Sequence, residues 1–140
     1  MAAVSATAAS TGFWPLMAAS SPAQVFARLD DGRAQLALLP APEDAPELDW
    51  WRNLDPTGLQ VIARLPIDGT ETQPGALVVG RQAFEESGID RGLLVVVAET
   101  ETSRAKLGRA FAQAGIGLAG IIAETARGGR QSFLVVSEAY

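Results

Sequence analysis

The chain has 140 residues, of which 48% are hydrophobic, and its formal net charge is −5. That length suits one domain or two small lobes with a packed core, and the negative charge argues against nucleic acids and anionic membranes as partners. Because the sequence has no cysteine and no histidine, it excludes disulfides, thiolate nucleophiles, imidazole bases and the usual zinc sites. We therefore expect no metal site and no cofactor.

The targeting signals of the chain are equally sparse. No apolar run approaches the roughly 20 residues that a membrane-spanning helix needs. The first 27 residues are rich in Ala and Ser but carry no Lys or Arg, so the basic segment of a secretory signal is absent. The sequence predicts a cytoplasmic protein without membrane contact.

The first half of the chain predicts one helix among short strands. Ser21 is a favoured helix cap, Pro22 suits the first helical position, and Gln24 completes a capping box. The pair Trp50-Trp51 is expected in one helical turn, with one ring in the core and one at an interface; the alternative is a stacking platform for an aromatic or sugar ligand. Four apolar runs predict strands: 2–6, 35–39, 59–67 and 76–79.

The second half predicts a strand, a helix and two more strands. The β-branched run Leu93 to Val97 is apolar on both faces, as a buried strand requires. After it, Thr102 is the expected helix cap, and Gly115 suits the left-handed position past the helix end. Gly128-Gly129 predicts a tight hairpin turn. The buried face of the helix is predicted to comprise Leu107, Ala110, Phe111 and Ala114. The last two strands are predicted over 116–123 and 131–137.

Two conspicuous patterns have ordinary structural explanations. The stretch from Gly115 to Gly120 matches the dinucleotide fingerprint G-x-G-x-x-G. However, that motif needs a strand before it and a helix after it, whereas here a helix precedes and a strand follows. The acidic pairs fall at helix ends or in loops, where solvated charge is expected: Asp30-Asp31, Glu43-Asp44, Glu85-Glu86 and Glu99/Glu101.

The candidate ligand site is the turn between the strand of Leu93 to Val97 and the helix that follows it. It comprises Glu99, Thr100, Thr102, Ser103 and Arg104. It leads into a helix N-terminus, where free backbone N–H groups and the helix dipole favour an anion such as a carboxylate. Ser103 and Arg104 add further donors. We predict ligand binding there, and we assign no catalytic residue.

Two stretches of the sequence resemble prephenate dehydratase. The first runs from Ser20-Ser21-Pro22-Ala23-Gln24-Val25-Phe26 through Gly32 to Leu38-Leu39-Pro40. The second runs from Ala76-Leu77-Val78-Val79-Gly80-Arg81 to Ser87-Gly88-Ile89-Asp90-Arg91, and it resembles the join of that enzyme to its ACT domain. Regions around Trp50-Trp51 and 61–66 are similar to a dehydratase-like segment that follows chorismate mutase helices in some bacterial proteins.

The resemblance implies a fold and a domain division. It implies an α/β protein, with a small dehydratase-like lobe over residues 1–86. A partial ferredoxin-like, ACT-like β-α-β-β unit then covers residues 87–140. Dehydratases carry a Thr-Arg-Phe triplet with a catalytic threonine, and the matching positions here are Pro74, Gly75 and Ala76. The family's Glu-Asn-Ser motif becomes loop sequence near Glu43-Asp44.

These departures favour a non-catalytic role. We expect a regulatory or structural protein of aromatic amino-acid biosynthesis, at the chorismate and prephenate branch, that senses a small amino acid or steadies a partner enzyme. One alternative is an enzyme, either a divergent prephenate dehydratase or part of a chorismate mutase polypeptide. A second alternative is a pure interaction module. The apolar faces of Leu93 to Val97 further predict a homodimer.

Overall fold

The computed structural model of the chain describes residues 2–4, 15–54, 58–65, 75–81, 90–99 and 101–138. The chain divides into two compact units, Met1–Phe84 and Glu85–Tyr140; the boundary predicted from the sequence falls at 86/87. Helices and strands mix in the chain, and every described strand pair is antiparallel. The α/β class is thus right in its coarse sense, with antiparallel sheets.

The first unit is built on a five-stranded sheet. Its strand order is β2-β1-β3-β5-β4. Alternate residues of the inner strands are buried, among them Ala37 and Leu39 on one strand and Leu77 and Val79 on its neighbour. The five strands are β1 (Ala2–Val4), β2 (Leu16–Ala18), β3 (Leu36–Pro40), β4 (Gln60–Leu65) and β5 (Ala76–Gly80).

Helix α1 (Pro22–Asp30) begins where the capping signal predicts. The Ser21 hydroxyl accepts a hydrogen bond from the Gln24 N–H at 3.2 Å. In return, the Gln24 side chain accepts a hydrogen bond from the N–H of Ser20 at 2.8 Å. Ser20 is the residue that precedes the cap. Each bond satisfies a donor that the helix start would otherwise leave free. The helix then buries an apolar face formed by Val25, Phe26 and Leu29.

Both tryptophans belong to the core of the first unit, whereas one of the two rings was predicted at an interface. Trp50 is 1% exposed and Trp51 is 2% exposed, within a 3₁₀ helix over Trp50–Asn53. The Trp50 indole donates to the Pro40 carbonyl at 2.9 Å, so its one polar atom is satisfied despite burial. A second 3₁₀ helix, Pro46–Leu48, comes just before it in the chain.

The second unit is a three-stranded sheet with one helix. Its strand order is β6-β8-β7, so the last strand lies between the other two. Gly128 and Gly129 form the hairpin turn with φ of 57° and 77°, which glycine tolerates without strain. The elements are β6 (Gly92–Glu99), α2 (Arg104–Gln113), β7 (Leu118–Arg127) and β8 (Arg130–Ser137).

The helix covers one face of this sheet. Leu107 and Phe111 pack against Phe133 and Val135 of the central strand. Ala110 and Ala114 were predicted on the same buried face, but both are exposed. Their small side chains leave the contact to the larger Leu and Phe.

The fingerprint-like glycines end a helix and begin a strand. Gly115 follows α2 with φ of 73°, the left-handed conformation predicted for it. Gly120 lies within β7, at a shift in strand register. Because the order is helix then strand, no helix N-terminus faces this loop, and the dinucleotide motif is ruled out.

Candidate functional site

The predicted ligand turn connects β6 to α2. Glu99 is the last residue of β6, and Thr100 lies outside the described residues. Glu101 adopts a left-handed conformation with φ of 77°, which is uncommon for a residue other than glycine. The chain therefore reverses tightly before the helix begins.

Thr102 fixes the turn and does not cap the helix, which corrects the sequence prediction. Its hydroxyl donates to the Glu99 carbonyl at 2.9 Å. Its backbone N–H donates to the Gln131 side chain on β8 at 2.8 Å. Both polar groups of Thr102 that we expected to face a ligand are thus bonded within the protein.

Ser103 is the actual helix cap. Its hydroxyl oxygen accepts from the Lys106 N–H at 3.1 Å, and its carbonyl accepts from the Leu107 N–H at 3.0 Å. Within the described ranges, no acceptor bonds the backbone N–H groups of Arg104 and Ala105. Those two donors, and the proton of the Ser103 hydroxyl, remain able to bond an anion.

Arg104 carries the charge of the site and already has a partner. Its Nε donates to a carboxylate oxygen of Glu124 on β7 at 2.8 Å. The two side chains are 61% and 44% exposed, so solvent weakens the ion pair. A guanidinium has five N–H donors, so Arg104 can hold Glu124 and bond a second carboxylate at once.

The structure brings together part of the predicted site and adds two residues to it. Ser103 and Arg104 meet at the start of α2, whereas Thr102 is committed to the turn. Glu124 and Gln131 were missed because they lie 20 and 29 residues from their partners in the sequence. The pairing of β8 with β6 places Gln131 beside the turn, and the pairing of β7 with β8 then brings Glu124 to it.

The positions that correspond to the dehydratase motif also meet, in the first unit. The Gly75 N–H donates to Asp44 at 2.7 Å, and the Ala41 N–H donates to the Gly75 carbonyl at 2.9 Å. Arg64 forms an ion pair with Glu43 at 3.0 Å. A side chain at position 75 would approach Ala41 Cβ to 3.1 Å and Arg64 Nη2 to 3.3 Å. The described polar groups of this corner therefore bond one another, although Arg64 and Glu43 remain partly exposed to solvent.

The other charged pairs in the first unit also have structural partners. Arg81 donates to the Leu29 carbonyl at 3.0 Å and pairs with Asp30, so it holds the C-terminal end of α1. Asp31 forms an ion pair with Arg33 at 3.3 Å. A cation at a helix C-terminus complements the negative end of the dipole.

Comparison with known proteins identifies no relative for this chain. No family model, no curated protein and no solved structure matches it. Among the described residues, no three acidic side chains converge in a way that could hold a metal ion. No described helix is both long and apolar enough to cross a membrane.

Proposed function

We propose that this chain is a non-catalytic regulatory protein that binds a small amino acid at the turn from Glu99 to Arg104. The observation that carries the proposal is the start of α2, where Ser103 caps the helix beside the unbonded N–H groups of Arg104 and Ala105. Together with the remaining guanidinium donors of Arg104, these groups suit a carboxylate.

The charges around the turn favour a zwitterion over a simple anion. The turn, the start of α2 and the adjacent strand residues carry three acids, Glu99, Glu101 and Glu124, and three bases, Arg104, Lys106 and Arg130, the last directly opposite Glu99. The site therefore has no net positive charge to attract a dicarboxylate. An amino acid brings its own ammonium group, which an acidic side chain can pair, while its carboxylate lies at the helix start.

The topology of the second unit supports an ACT-like assignment. The order β6-β8-β7, with α2 joining the two outer strands, corresponds to the first three strands of a ferredoxin-like sheet. The pathway, aromatic amino-acid biosynthesis, rests on the sequence resemblance alone. We propose that the chain acts as a homodimer or on a partner enzyme.

The dehydratase alternative has less support from the geometry. The threonine and arginine of the dehydratase motif correspond to Pro74 and Gly75, neither of which has a hydroxyl or a charge. Asp44 bonds the Gly75 N–H, and Glu43 neutralises Arg64. Arg64 keeps further N–H donors, so these bonds oppose turnover of prephenate without preventing a carboxylate from binding.

The amino-acid proposal is tested by thermal unfolding with phenylalanine, tyrosine and tryptophan. We expect at least one to raise the melting temperature, because a ligand that binds only the folded state stabilises it. Arg104→Glu should abolish that rise, since it places a negative charge at the helix start. Arg109→Glu is the matched control: the charge change is the same, on an exposed residue of the same helix.

Two further measurements sharpen the test. Glu124→Gln frees Arg104 from its internal partner and should increase the ligand-induced rise. 3-Phenylpropionate, which lacks the amino group, should bind more weakly than phenylalanine if a zwitterion is required. A full rise in the Arg104→Glu protein would place the ligand elsewhere.

A further inference from the structure

Among the strands that the structure describes, only β8 pairs with β6. Strand β6 pairs with β8 along its whole length, from Gly92 opposite Ser137 to Glu99 opposite Arg130. None of the other described strands pairs with its outer side. The backbone N–H and C=O groups on such an edge can pair with another strand.

The two edges of this sheet differ in how they are protected. The opposite edge, β7, has register shifts between Leu118 and Gly120 and between Ile121 and Ala123. Irregularities of this kind twist an edge away from intermolecular pairing. Strand β6 pairs in unbroken register, and from Gly92 to Ala98 it contains no proline and no charged residue. It therefore has neither the register shifts nor the charged residues and prolines that usually prevent edge-to-edge pairing.

The exposed side chains of β6 fit a partner that lies along the edge. Leu94 is 40% exposed and Val97 is 57% exposed, and both are large and apolar. They are three residues apart, so they point to opposite faces of the sheet. A partner packed on one face would cover one of them, whereas a strand added at the edge would contact both.

We propose that β6 pairs antiparallel with β6 of a second copy of this chain. A two-fold axis perpendicular to the sheet at Val95 would place Val95 opposite its own copy. In that register Arg91 of each copy lies opposite Glu99 of the other, giving two cross-strand ion pairs. Within the described residues, neither Arg91 nor Glu99 enters an ion pair in its own chain.

Charge selects this register over its neighbours. Opposed residues in an antiparallel pair share a face, so a symmetric pairing must be centred on a residue. Centring on Leu94 would place Arg91 opposite Val97, and centring on Val96 would place Leu93 opposite Glu99. Only the Val95 centre pairs apolar with apolar and Arg with Glu. The product is a continuous six-stranded sheet with both α2 helices on one face.

This inference rests on the homodimer part of the proposed function and is independent of any ligand. The experiment is sedimentation equilibrium of the full chain over a wide concentration range. We expect the unmodified chain to dimerise and Val97→Lys to abolish association, because a lysine on the edge opposes pairing. Ala126→Lys places the same charge on exposed β7 and should leave the dimer intact.

Charge reversal tests the register. Arg91→Glu should weaken association about tenfold, since two attractive cross-strand pairs become repulsive. The double variant Arg91→Glu with Glu99→Arg should restore it. Circular dichroism checks that each variant is folded.

The outcomes separate the two levels of the proposal. A monomer at every concentration would overturn both the homodimer and the β6 interface. A dimer that Val97→Lys and Arg91→Glu leave unchanged would overturn the β6 interface alone. A dimer that Val97→Lys abolishes but that the double charge reversal fails to restore would overturn the Val95 register.

Discussion

At the scale of single residues, packing space decides what a substitution costs. Gly80 ends β5 in a buried position, and an added Cβ would lie 2.7 Å from Leu36 Cδ2 and 3.0 Å from Ile62 Cδ1. Gly108 lies within α2, and an added Cβ there would meet nothing within 4 Å. Gly80 therefore has no room for a side chain, whereas Gly108 has ample room for one. The sequence alone does not distinguish these two environments.

We predict opposite effects of alanine at these positions. Gly80→Ala should lower the free energy of unfolding by about 1–3 kcal/mol, because the neighbouring side chains must shift. Gly108→Ala should raise it by about 0.5–1 kcal/mol, because alanine loses less backbone entropy in a helix. Urea unfolding followed by circular dichroism measures both. Equal effects of the two substitutions would contradict the packing argument.

At the scale of elements, competing hydrogen bonds decide where a helix begins. Thr102 and Ser103 are both good capping residues. The Thr102 hydroxyl is used by the Glu99 carbonyl, so the cap moves one residue along, to Ser103. In α1 no such competition arises, and the cap lies at Ser21 as the sequence predicts.

Amide hydrogen exchange tests the assignment of the cap. Ser103→Ala should speed exchange at the Lys106 N–H, which loses its side-chain acceptor, and should cost about 1 kcal/mol of stability. Ser103→Asp should restore the protection, since aspartate is an equally good cap. Thr102→Ala is the control, with protection at Lys106 retained. Loss of protection in the Thr102 variant would show that the cap lies there.

At the scale of the whole molecule, the proposed lack of dehydratase activity depends on which groups meet around Gly75. Dehydration of prephenate expels a ring hydroxyl and a carboxylate, and it is fast only when a positioned acid protonates the leaving group. Pro74 and Gly75, which correspond to the dehydratase threonine and arginine, have neither a hydroxyl nor a charge. Glu43 and Asp44 are bonded to Arg64 and to the Gly75 N–H. Thr70 and Thr72 lie outside the described residues.

We therefore predict that the purified chain does not convert prephenate to phenylpyruvate. The assay follows phenylpyruvate by its absorbance in alkali after incubation at neutral pH, with an active dehydratase as positive control. Turnover that scales with protein concentration, and that is lost when Thr70 and Thr72 are replaced by Ala, would establish the enzyme alternative.

The sequence alone determined features that depend on neighbouring residues. The start and end of α1, the hairpin at Gly128-Gly129 and the left-handed Gly115 follow from local backbone preferences. The burial of the tryptophans and the existence of strand β8 follow from the hydrophobicity of their residues. Strand ends differ from prediction by a few residues; β3, for instance, runs Leu36–Pro40 and was predicted over 35–39.

Only the tertiary structure decided what depends on distant residues. Strand β6 is apolar on both faces, as a buried strand would be. It nevertheless lies at the edge of its sheet, because β8 occupies the position between β6 and β7. Glu124 and Gln131 join the candidate site through the same pairing. Short β2 was not predicted, because three residues carry too little pattern to reveal a strand that antiparallel pairing with β1 stabilises. Strand pairing brings together residues far apart in the chain, and no local preference encodes which strands will meet.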